Sequence, residues 1–301
     1  MSILAKAETR ILVQGITGRE AATFTLESLR YGARIVAGVT PGKGGQQAAG
    51  GVPVYDTVAQ ALRAEPCEAS IISVPAPFVR DAAFEAFANG LKLVVILTER
   101  VARRDVVSVL EQARASGARV VGPNSLGMIS PDVTRIGMAG GSAEAARRAY
   151  QPGPVGVMSR SGGMLTEIAS LLSQDGLGQS TCVSIGGDAI VGSAFLDLLP
   201  LYEADPQTRA LVCFCEPGGT LEERLAEHLR AQPSRLPLIA FVAGRFADQI
   251  QGQRFGHAGA IVEGSQGSPA SKIAALRGAG VRVADKLSQI PRLVREALAE
   301  N

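Results

Sequence analysis

The amino-acid sequence predicts an α/β protein of two successive domains, each a parallel sheet with helices on both faces. Three observations carry that expectation. Short apolar runs rich in Val, Ile and Leu alternate with helical patterns along all 301 residues. The runs are continuous rather than alternating, as expected of strands covered on both faces. Thirty-five glycines without a strict repeat suit many tight strand-to-helix turns.

In chain order, the first half offers the strand runs "RILVQG", "ARIVAGVTP", "EASIISVPAP", "KLVVILTE" and "ARVVGPNS". The segments between them, such as "FVRDAAFEAFANG" and "RRDVVSVLEQARASG", have helical spacing and stop at glycine. The pattern lapses over "GGSAEAARRAYQPGP", which has no buried stripe and closes on Pro and Gly. The expected domains are therefore 1–140 and 141–301. The winding resumes with "PVGVMSRSG", "STCVSIGG", "ALVCFCE" and "PLIAFVAG". Open parallel sheets bind ligands at the carboxyl ends of their strands, so the residues closing these runs matter most.

Composition narrows the function. A formal charge of +2 gives no support to a nucleic-acid or membrane-surface partner. No run of eighteen apolar residues occurs and "MSILAKAETR" has no signal-peptide core, so a soluble, cytoplasmic protein is expected. Four cysteines without CxxC spacing, beside only two histidines, read as buried small hydrophobes. No disulfide and no metal held by this chain are expected.

Gly15-x-x-Gly18-x-x-Ala21 follows the first strand and opens a helix, a turn that lets backbone approach a pyrophosphate. An NAD-dependent dehydrogenase would also end its second strand on an acidic residue. Here that end is "AGVTPGKGG", with Lys43 on a glycine loop. Lysine suits a phosphate better than a ribose diol, which favours coenzyme A over NAD, although a solvated surface lysine is an equal reading of Lys43 alone. In the second half, Ser159, Arg160, Ser161, Gly162 and Gly163 open one helix, and Glu216, Pro217, Gly218 and Gly219 open another. Each glycine-rich helix start is an anion socket. His257 lies among glycines in "GQRFGHAGAIVEG"; its imidazole could take a phosphoryl group that the sockets would stabilise, with Glu216 orienting the other ring nitrogen. His228, among helical surface charges, reads as a solvated residue.

Taken together, "VQGITG", "AGVTPGKGG", "VPAPF", "VGPN", "SRSG", "GQSTCVSIGGD", "DPQT" and "GHAGAI" resemble the α subunit of succinyl-CoA synthetase and the wider nucleoside-diphosphate-forming acyl-CoA ligases. The resemblance runs nearly the full length. It implies an N-terminal Rossmann-like CoA-binding domain followed by a flavodoxin-like parallel α/β domain. It implies a CoA site at Thr17, Gly18, Arg19, Glu20, Lys43, Leu97, Thr98 and Glu99, and phosphorylation of His257 beside Glu216. It further implies a separate β subunit of ATP-grasp fold, in an αβ or α₂β₂ assembly, that binds ATP or GTP with Mg²⁺. Several positions depart from the family pattern: Ala21, Arg100, Ser125, Ala189, and Thr166 in place of a substrate-associated tyrosine. Succinate is the leading small carboxylic acid substrate, with malate, another dicarboxylate or a sulfonated carboxylate as alternatives. A non-catalytic CoA-binding regulatory protein is the rival reading.

Overall fold

A computed structural model of the chain describes residues 2–245 and 267–300. Six strands form the first sheet: β1 (Arg10–Gln14), β2 (Arg34–Val39), β3 (Val54–Tyr55), β4 (Ala69–Ile72), β5 (Leu93–Ile96) and β6 (Arg119–Val121). They lie in the order β3-β2-β1-β4-β5-β6, every pair parallel. This is the doubly wound order of dinucleotide-binding folds, whose direction reverses between β1 and β4. Helices α1 (Arg19–Tyr31), α2 (Val58–Ala64), α3 (Val79–Ala88) and α4 (Arg103–Ser116) make the crossovers. All residues of β4 and β5 are buried, as their almost wholly apolar runs require.

The second sheet has the order β13-β12-β11-β9-β10-β7-β8 among the described residues. Its strands are β7 (Gly127–Ser130), β8 (Thr134–Gly137), β9 (Pro152–Ser159), β10 (Gln179–Ser184), β11 (Ala210–Cys215), β12 (Leu238–Val242) and β13 (Arg282–Ala284). Strands β9 to β13 are parallel and reproduce the flavodoxin-like order 2-1-3-4-5. Around them run α5 (Ala143–Ala149), α6 (Gly162–Gln174), α7 (Phe195–Ala204), α8 (Leu221–Ala231), α9 (Pro269–Arg277) and α10 (Ile290–Ala299).

This second sheet is mixed rather than wholly parallel. The β7–β8 hairpin pairs antiparallel onto the edge of β10, with Cys182 opposite Ile129. Both hairpin strands precede Gly140 in the chain yet belong to the second sheet. The hairpin was hard to read because its four-residue strands carry Gly, Ser and Thr, and because Arg135 interrupts β8. That arginine is nonetheless fully buried, its Nε donating to Gly137 O at 3.3 Å.

Helix α1 joins the halves: buried Ser28 donates its hydroxyl hydrogen to Gly137 O at 2.9 Å. Close by, the Glu27 carboxylate accepts the Ala143 N–H at 2.7 Å and pairs with Arg30. The Ala143 amide first, and Arg30 after it, hold the Glu27 carboxyl below its ordinary value of 4.5. A carboxyl lowered by folding stabilises the fold above its unfolded pKa and loses that contribution as pH falls through the folded one. Glu27→Gln is therefore expected to flatten the decline of Tm on acidification below pH 4.5. A variant whose Tm–pH curve parallels the native curve there contradicts this.

All four cysteines are free thiols. No helix among the described residues is long and apolar enough to cross a membrane.

Candidate functional site

The first sheet's reversal point opens a cleft of about 590 Å³ between the ends of β1, β2 and β4. Gly15, Thr17 and Gly18 form one wall, Ser73 to Pro75 another, and Phe78 stands on the rim with 60% of its surface exposed. Gly15 lies at φ +83°, and a Cβ there would sit 2.3 Å from Ser73 O, so only glycine allows the two strand ends to approach so closely. The turn closes with Gly18 N–H donating to Gly15 O at 3.0 Å. Gly18 caps α1 with no side-chain hydrogen bond, which leaves the first-turn amides facing outward for an anion. Ala21 is buried in that first turn and leaves the turn closed. Thr17 and Thr40 share a hydroxyl contact of 3.1 Å across the β1 and β2 ends.

A second cleft, about 530 Å³, lies on the other side of the Gly18 and Ser73–Pro75 wall. Arg19, Glu20, Leu97, Thr98 and Glu99 line it, together with Asn124 and Ser125. The Thr98 hydroxyl donates to Val74 O at 2.7 Å, tying the β5 end to the shared wall. Seven of the eight residues expected at the CoA site thus gather around one partition. Lys43 is the exception: its amide donates to Thr40 O at 3.0 Å, but the residue is exposed and lines neither cleft.

The second sheet reverses direction between β9 and β11, and both glycine-rich helix starts emerge there, side by side. Ser161 caps α6 by accepting the Met164 N–H, and the Ser159 hydroxyl donates to Ser161 O at 2.5 Å. A Cβ on Gly162 would meet Leu126 Cγ at 2.2 Å, whereas Gly163 faces open space. Arg160 is buried; its Nε donates to Gly186 O at 3.0 Å and an Nη to Asp188 O at 2.9 Å. Thr166 shares a hydrogen bond of 2.9 Å with the Tyr150 hydroxyl on the helix α6 flank. Glu216 is buried at the β11 end and its N–H donates to Glu222 Oε1 at 3.4 Å. Gly218 N–H donates to Gly267 O at 2.8 Å, and Gly219 O accepts from Lys272 Nζ at 3.0 Å. His257 lies outside the described residues. His228 sits half-buried in the last turn of α8.

Sequence reasoning missed the connection between the two sites. Asn124, at φ +55°, donates its side-chain amide to Asp188 Oδ1 at 3.0 Å, and its backbone N–H to Thr98 O at 2.9 Å. Asp188 O in turn holds Arg160. A chain of hydrogen bonds therefore runs from Thr98 in the second cleft, through Asn124 and Asp188, to Arg160 at the second reversal point. The one signal for it was the punctuation of "GPNS" and "GGDA", which marks turns but not that they meet.

Residues 6–100 match the CoA binding domain family model, and residues 158–282 match the CoA-ligase model. The chain is 44% identical over 298 residues to "Succinate--CoA ligase [ADP-forming] subunit alpha 2" of Archaeoglobus fulgidus, covering 99% of this chain and 100% of that one. The chain belongs to the CoA-ligase α-subunit family. Another member, the "ADP-forming sulfoacetate-CoA ligase subunit SauD" of Bilophila wadsworthia, is 39% identical over 99% of this chain and 100% of its own. Among solved structures, the ATP citrate lyase of Methanosaeta concilii in complex with (3S)-citryl-CoA superimposes with a TM-score of 0.90 at 27% identity. That match covers 99% of this CoA-ligase-family chain but 50% of the lyase, so the chain corresponds to half of the larger protein.

Proposed function

We propose that this chain is the α subunit of a nucleoside-diphosphate-forming acyl-CoA ligase, working with a separate ATP-grasp β subunit that binds ATP or GTP with Mg²⁺. The amino-terminal unit holds CoA: the close Gly15 turn and the open amides of α1 suit its phosphates, and the two clefts beside Gly18 give room for the rest. The carboxy-terminal unit performs phosphoryl transfer at the paired helix starts.

The reaction splits one condensation into three displacements. The γ-phosphoryl of the nucleotide moves to a ring nitrogen of His257 and the diphosphate leaves. A carboxylate oxygen of the acid then attacks phosphorus, which frees the imidazole and forms an acyl phosphate. The CoA thiolate attacks the acyl carbon and inorganic phosphate departs. Glu216 orients the imidazole, and the amides near Gly162, Gly163, Gly218 and Gly219 stabilise the phosphoryl oxygens.

The observation that best supports this reading is the Thr98–Asn124–Asp188–Arg160 chain of contacts, which ties the wall of the second cleft to Arg160 beside the first socket. Succinate is the leading acid. A sulfonated carboxylate, malate or another dicarboxylate is the second reading, favoured by the full-length similarity to a sulfoacetate-CoA ligase subunit and by Thr166 being engaged with Tyr150. The test is to purify the α–β assembly and screen mono- and dicarboxylic and sulfonated acids for phosphate release that requires both CoA and nucleotide. CoA-dependent release with one of these acids is expected. CoA binding without phosphate release from any acid would instead indicate a regulatory CoA-binding protein.

A further inference from the structure

Lys272 on α9 is fully buried, an environment lysine occupies only when paired. Its ammonium donates to Gly219 O at 3.0 Å, to Glu223 Oε2 at 3.0 Å and to Glu222, which is itself fully buried. A buried ion pair seldom adds more stability than an apolar pair of similar volume, so stability alone is a poor account of this cluster. Its geometry has a definite consequence for the turn above it. A trans peptide points its N–H opposite its C=O. With Gly219 O held against Lys272, the Thr220 N–H is directed away from the ammonium.

Gly218 and Gly219 both lie at positive φ, 88° and 60°, so the turn has backbone freedom that contacts from outside it must restrain. Without the Lys272 contact on Gly219 O, rotation about the two glycines would swing the Thr220 N–H off an anion's line of approach. The same cluster anchors the rest of the turn: Glu222 Oε1 accepts the Glu216 N–H at 3.4 Å. Helix α9 also begins directly after Gly267, whose carbonyl takes the Gly218 N–H.

We propose that Lys272 is a positioning residue for phosphoryl transfer, locking the Gly219–Thr220 peptide with its amide available to the phosphoryl group and holding Glu216 in register. This rests on the functional reading given above and assigns a role to a residue that touches neither substrate nor cofactor.

Lys272→Met alone leaves Glu222 buried without its counter-ion and can fail to fold, so the informative variant is Lys272→Met with Glu222→Gln, which removes both buried charges together. Each α–β assembly is mixed with ATP, and phosphate uptake is followed by intact mass, counting only chains that titrate with CoA. The double variant is expected to bind CoA like the native assembly while its phosphorylation rate falls on the order of 100-fold, the loss typical of one misdirected donor. Lys272→Arg, which keeps the donors, is expected to restore part of that rate. A double variant phosphorylated within threefold of the native rate per CoA-binding chain overturns the proposal. A native assembly that takes up no phosphate overturns the functional reading, and this role with it.

Discussion

His257→Asn is expected to abolish phosphate uptake from ATP or GTP while CoA still binds. Loss of a covalent nucleophile should lower the rate by at least on the order of 10,000-fold. The CoA clefts are built from residues before Ser142, so affinity for CoA should stay within about twofold of native. Mass spectrometry of the intact α chain, with calorimetry for CoA, separates the two effects. A phosphate adduct that persists in the variant would move the phosphoryl acceptor to another residue and dismantle the three-step reaction.

The second large effect belongs to Gly15→Ala. The new methyl group would lie 2.3 Å from Ser73 O on a backbone at φ +83°, so strain and overpacking add. Together they should cost about 3 kcal/mol of stability. The strand ends must separate to relieve the clash, which shifts the turn that carries the α1 amides. CoA affinity is expected to fall on the order of 100-fold, and Tm with it. A control is Gly163→Ala, where nothing lies within 4 Å of the added carbon and CoA affinity should not change. Unchanged CoA affinity in Gly15→Ala would place the cofactor away from this turn.

Much of the architecture was legible because buried strands announce themselves. Runs such as "ASII" and "LVVI" are wholly apolar or nearly so, and Pro75 and Thr98 close them near where β4 and β5 give way to loops. The Gly15–Gly18 turn was legible because its glycines follow a strand and open a helix, though many strand-to-helix turns share that spacing and only the neighbouring motifs pointed to a cofactor. Contacts between distant segments were not. Asn124 and Asp188 are 64 positions apart, and no local pattern reports that their loops meet. Lys272 was hidden by its type, since a lysine in a short helix reads as solvated until burial shows otherwise. Lys43 illustrates the opposite case: a glycine loop and a positive charge marked it for the cofactor, while its side chain stands outside the wall of either cleft. Its amide still shapes the loop through Thr40 O.

The hairpin that precedes Gly140 bears on any attempt to cut the chain in two. A fragment starting at Ser142 would strip β10 of its neighbour, leaving the Thr181 hydroxyl without Ser130 and the Ser184 carbonyl without Ser125. Such a bare sheet margin invites self-association between copies. An autonomous carboxy-terminal fragment has to begin near Ser125, so that it carries its own selvedge.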